Sequence, residues 1–142
     1  MGTRSLTKVI QTWEDESGKK TSKPITTMYR QYDGYMSGHG AQLAEWLNQY
    51  TVVNGMGIDD IGSIANGMDC LAAQMFQHFK DGPGGIYCMH PDTEDCWEEF
   101  LYEISEGENK QLFITVYEKY NDSKMIFHGT PEELLTKIEE YV

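Results

Sequence analysis

The chain has 142 residues, of which 39% are hydrophobic and 24% charged, enough apolar material for one core and too little length to expect two. A net charge of −12 opposes docking to a phosphate backbone and argues against broad nucleic-acid binding. The acidity is uneven: residues 1–50 carry six basic against five acidic side chains, whereas residues 51–142 carry five against eighteen.

Residues 4–13 and 25–32 are rich in β-branched and aromatic side chains and predict two strands, with the polar EDESGKKTSKP as the loop of an antiparallel hairpin around Gly18. A turn centred near Gly18 and Lys19 sets Arg4 opposite Asp33, to within a residue or two. The GHG of residues 38–40 precedes AQLAEWLNQY, whose Leu43, Ala44, Leu47 and Tyr50 recur at helical spacing. After the glycine-broken VVNGMGIDDIGS, a stripe of Met68, Leu71, Ala72, Met75, Phe76 and Phe79 predicts a second helix, closed by DGPGG. GIYCMH, EEFLYEIS, QLFITVYEK and KMIFH predict four more strands, with turns at residues 106–109 and 121–123. In GTPEELLTKIEEYV, Thr130 as N-cap, Pro131 at the first turn and Glu133 form a capping box, and Leu134, Leu135, Ile138 and Tyr141 form an inner face. The pattern is that of a single α+β domain over residues 1–142: an antiparallel or mixed sheet of about five to six strands with two to three helices packed mainly on one face.

No run of about 18 apolar residues occurs and the first residues are polar, so neither a membrane helix nor a signal peptide is expected, and the expected compartment is cytoplasm. Leu6 stands where a myristoylation signal requires Ser or Thr. Cys70, Cys88 and Cys96 cannot all pair within one chain and are expected reduced.

Chemistry concentrates in YRQYDGYMSGHG at residues 29–40 and in GTRS at residues 2–5. Glycines admit close backbone approach, arginine offers a planar fork to phosphate or carboxylate, and tyrosines offer flat faces to a base. Both arginines of the protein lie here. The candidate ligand-binding residues are therefore Arg4, Ser5, Tyr29, Arg30, Tyr32, Asp33, Gly34, Tyr35, Gly38 and His39, suited to a small nucleotide-like anion. Arg4 or Arg30 would hold phosphate, Tyr32 or Tyr35 would stack, and Asp33 would bond a sugar hydroxyl or fix an arginine. The plainer reading makes DGY a turn, GHG a helix entry and the arginines ion-pair partners of carboxylates.

His39, oriented by Asp33 or Glu45, has the chemistry of a general base, but no paired-carboxylate, P-loop or nucleophile motif accompanies it, and no catalytic residue is assigned. Cys88, His90 and Cys96 lack an evident fourth ligand beyond Asp92, Asp95 or His128, so no metal and no cofactor is expected. The run PDTEDCWEEFLYEISEGE places eight carboxylates at residues 92–108 with no Lys or Arg. It reads as a solvated face, or as a surface that docks a basic protein through Trp97.

GTRSLTKV, YRQYDGYMSGHGAQLAEWL, NGMG, ANGM, GGIY and FHGTPEELL together resemble a group of small proteins of tailed bacteriophages, prophages and some bacteria. The resemblance spans most of the chain and brings with it no activity and no catalytic residue. It implies a phage setting within a host cell, where proteins of this size blunt host defence by sequestering a nucleotide signal or by binding a defence protein. The leading expectation is thus a non-enzymatic protein that captures a small nucleotide-like anion. The alternatives are an acidic inhibitor or adaptor of a basic host protein, and a small enzyme using His39. Three tyrosines and a methionine in YRQYDGYM exceed what one hairpin end buries beneath a helix, so a homodimer, or a ring built from it, is expected, with no membrane partner.

Overall fold

The computed structural model describes residues 2–53, 64–120 and 122–140. The two N-terminal strands form a long antiparallel hairpin, β1 (Ser5–Glu14) with β2 (Lys20–Arg30). Asp15 organises its loop: one carboxylate oxygen accepts the backbone N–H groups of Ser17 and Lys19 at 2.9 Å each. The loop is centred on Ser17, and a bulge between Val9 and Ile10 shifts the register. Ser5 accordingly pairs with Arg30, which sets the continuation of β1 at Arg4 level with Gln31, two residues short of Asp33.

A π-helical turn (Met36–Gly40) leads into α1 (Ala41–Leu47). The helix is shorter than its apolar spacing predicts, because Tyr50 lies beyond its end and packs on Trp46 with ring centroids 4.9 Å apart. Then come β3 (Thr51–Val53), β4 (Ile64–Asn66), α2 (Gly67–Phe79) and β5 (Ile86–Met89), followed by β6 (Phe100–Glu106), β7 (Leu112–Glu118), β8 (Lys124–Gly129) and α3 (Pro131–Glu140). Most of the glycine-broken stretch, all of NGMG, and Asn121 and Tyr141 lie outside the described residues.

The main sheet has six strands in the order β5-β2-β1-β6-β7-β8, and β1 with β6 is its parallel pair. A second sheet pairs β3 with β4 in parallel. One face of the main sheet holds the core: Val9, Met28, Tyr102, Ile104, Ile114 and Val116 pack with Leu43 and Leu47 of α1, Leu71 and Met75 of α2, and Leu134 of α3. The capping box of α3 is formed, with Glu133 N–H donating to Thr130 Oγ1 at 3.2 Å and Thr130 N–H to Glu133 Oε1 at 2.9 Å. The Thr130 backbone N–H, and then the Thr130 hydroxyl, pull the Glu133 carboxyl below its ordinary pKa.

The opposite face is covered differently. Lys8 points there and is buried, its ammonium donating to Thr27 Oγ1 at 3.0 Å and to the carbonyls of Pro91 at 2.7 Å and Thr93 at 2.8 Å. A loop, rather than a helix, thus lies over that side. Among the described residues no helix is long and apolar enough to cross a membrane.

Candidate functional site

Consecutive residues on a strand point to opposite faces, and this rule divides the aromatic-basic motif. Tyr29 turns away from the helices and meets Tyr87 across the β2–β5 pair at 5.9 Å, whereas Arg30 turns toward them. There the Arg30 guanidinium meets His39, which is fully buried. Nη1 of Arg30 donates to Nδ1 of His39 at 3.0 Å and to Oε1 of Gln42 at 2.8 Å.

An arginine N–H can only donate, so Nδ1 of His39 is the acceptor and its proton sits on Nε2. Nε2–H in turn donates to Thr7 Oγ1 at 2.7 Å. Burial, and then the Arg30 charge, push the His39 pKa down to about 3, so the ring is neutral at ordinary pH. Both ring nitrogens are occupied and neither reaches the surface, which leaves His39 no lone pair for a ligand's proton. Asp33 and Glu45, expected as its orienting partners, are replaced in that part by Thr7 and Arg30.

The segment that holds His39 is tied at several points. Gly34 N–H donates to Thr3 O at 2.9 Å, the buried Tyr102 hydroxyl donates to Gly34 O at 2.7 Å, and His39 N–H donates to Asp33 O at 2.7 Å. Gly34 is required by close approach: a Cβ there would lie 2.8 Å from Ser5 Cβ and 2.9 Å from backbone atoms of Arg4 and Thr3. Asp33 takes a left-handed conformation, φ 61°, which aspartate tolerates better than most side chains.

Arg30 opens into a cleft of about 550 Å³ between the end of β2, α1 and the C-terminal end of α2. This size falls in the range of small-ligand pockets. Beside Arg30 stand Tyr32 and Asp33; α1 supplies Gln42, Glu45 and Trp46, and Gln49 follows its end; His78, Phe79 and Asp81 form the far wall, and Gly84 and Gly85 the rim before β5. Gly84 and Gly85 have φ 78° and 76°, a left-handed pair that turns the chain there without placing side chains at the rim. The aromatic part is ordered: the Trp46 and His78 rings stack at 5.4 Å and 16°, and Phe79 stands edge-on to Trp46 at 5.8 Å. The guanidinium carbon of Arg30 is 6.0 Å from the Phe79 ring centre, the outer limit of a cation–π contact.

The chain matches no family model, no curated protein and no solved structure.

Of the ten candidate residues, Arg30, Tyr32 and Asp33 line the cleft. His39, Gly34 and Ser5 are buried behind it. Gly38 packs against Asp33 O and the Tyr35 ring, so closely that a Cβ would lie 2.5 Å and 2.9 Å from them. Tyr35 is exposed, its hydroxyl 3.5 Å from Asp33 Oδ1. Tyr29 and Arg4 lie off the cleft. The sequence signal for its α1 wall is the polar pair Gln42 and Glu45, at i and i+3 on one helix face, with Gln49 at helical spacing just past the helix end.

Among the described residues the cleft has one guanidinium against the carboxylates of Asp33, Glu45 and Asp81. Lys80, next to it in sequence, is committed to the carbonyls of Gly84 at 2.9 Å and Ile86 at 2.8 Å. Partial burial draws the Arg30 pKa below its ordinary value, and Asp33 opposes that shift; arginine remains a cation throughout.

Proposed function

We propose that this protein is a non-enzymatic binding protein that captures a small nucleotide-like anion in the cleft at Arg30. The observation that carries the reading is the state of Arg30. One of its nitrogens is fixed from behind by a neutral histidine and a glutamine, while Nε and Nη2 make no bond among the described residues. A preordered guanidinium edge beside Tyr32 and the Trp46–His78 stack suits an anion joined to a planar group, since the ordering is already done before binding. In the phage setting implied by the motif resemblance, such capture would remove a host immune signal.

Calorimetry against a panel of cyclic and linear nucleotides tests this. Arg30→Ala should weaken binding by about 1.5–3 kcal/mol, the usual worth of a hydrogen bond to a charged group. Arg4→Ala, off the cleft, should leave affinity within about 0.5 kcal/mol. Binding indifferent to Arg30→Ala would sink the assignment.

A second reading rests on Trp97, which is 83% exposed at φ 63° beside Asp95, Glu98 and Glu99. A bare indole among carboxylates suits a basic host protein. Affinity for such a partner should fall with added salt and drop at least about tenfold in Trp97→Ala, a hot-spot loss. A partner that binds Trp97→Ala as tightly as the native chain would remove this reading.

A further inference from the structure

We propose that the carboxylates of the cleft, Asp33, Glu45 and Asp81, read sugar hydroxyls, so that the site takes ribonucleotides in preference to deoxyribonucleotides and rejects bare anions. This rests on the nucleotide-capture reading and narrows its ligand class. An ionised carboxylate can only accept hydrogen bonds. Three of them around one guanidinium repel a ligand that is charge alone. The same three favour a ligand that carries hydroxyl or amino donors next to its anionic group, because each donor then makes a charge-assisted bond.

The layout fits that division of labour. Glu45 lies three residues after Gln42 on α1, next to Trp46 of the aromatic wall. Asp33 adjoins Arg30, close enough to act on its charge, and so sits where the group next to a bound phosphate would lie. In a nucleotide that group is the sugar. All three carboxylates belong to exposed residues, so none is committed to the core.

The test is calorimetry on the full chain with four ribonucleoside 5′-monophosphates, cyclic di-adenosine monophosphate, the 2′-deoxy form of each, and inorganic pyrophosphate. The expected result is that at least one ribonucleotide binds about tenfold or more tighter than its deoxy form, since the lost bond is to a charged acceptor. Pyrophosphate should bind more weakly than either. In the triple variant Asp33→Asn, Glu45→Gln, Asp81→Asn the gap should close to within about threefold and pyrophosphate should gain affinity. Asparagine at position 33 tolerates the left-handed backbone, and the other two positions are exposed, so the variant keeps the fold. Deoxy forms that bind as tightly as ribo forms, a gap untouched by the triple variant, or pyrophosphate binding on a par with ribonucleotides would each overturn the sugar reading. If nucleotides bind in an Arg30-dependent way without a sugar gap, capture stands and only this inference falls. If no probe binds, the capture reading itself fails and takes this one with it.

Discussion

His39 looks from sequence like a candidate base and turns out to be a buried brace for Arg30, and that change of role has a measurable proton signature. In an unfolded chain the ring takes up a proton near its ordinary pKa of 6.5, whereas in the fold it resists protonation down to about 3. Between those values the folded state binds fewer protons. The stability tied to His39 is therefore fully present above about pH 6.5 and drains as the pH falls toward 3, at up to about 1.4 kcal/mol per pH unit. His39→Gln removes this titration, so denaturant midpoints compared at about pH 7.5 and about pH 5 should drop further in the native chain than in the variant. Equal drops would show that the ring is not held neutral. The motif of residues 29–40 was legible as a place where chemistry concentrates, but not as one surface. Adjacent strand residues diverge, so Tyr29 and Arg30 part company, and the buried Ser5 and His39 end up behind the cleft rather than in it.

Elements with a local signal were read well, and those joined by distant pairing were not. The α2 stripe, the α3 capping box and the strands carry their evidence within a dozen residues. The parallel β1–β6 pair and the three-residue strands β3 and β4 leave no such trace, since a parallel neighbour comes from far along the chain and three residues are too few to show alternation. The loop over the second sheet face was likewise hidden, because a lysine in a strand gives no hint of burial. Burial lowers the Lys8 pKa, against the pull of Glu94 and Asp92. Lys8→Met keeps comparable bulk but leaves the carbonyls of Pro91 and Thr93 without this donor, so it should cost about 2 kcal/mol or more. Protease cleavage within residues 91–99 should quicken before global unfolding does. Cleavage in that loop no faster than in the native chain would mean that other contacts hold it.

How copies of the chain would meet is decided by charge as much as by shape. Two faces rich in the carboxylates of residues 92–108 repel each other, and Asp92 and Glu94 lie over the outer face of the hairpin beside Lys8, so a second copy is least opposed toward the Arg30 end of β2. That side also has the open sheet edge at β5 and the large exposed rings Tyr32, Tyr35 and Tyr87, which are 53%, 42% and 46% exposed. An unpaired edge beside exposed aromatic rings is a surface that twofold association covers. We therefore expect a homodimer built through the β5 edge, with the cleft near the boundary because Gly84, Gly85 and Ile86 belong to both its rim and the approach to that strand. Light scattering at micromolar concentration should give twice the chain mass, and Tyr87→Asp, which sets a charge on the exposed edge, should halve it. Added salt should strengthen rather than weaken the association, because the acidic bodies then repel less while an aromatic contact loses nothing. A monomer mass that persists at moderate salt with nucleotide present would assign the three tyrosines to the surroundings of a pocket within one chain.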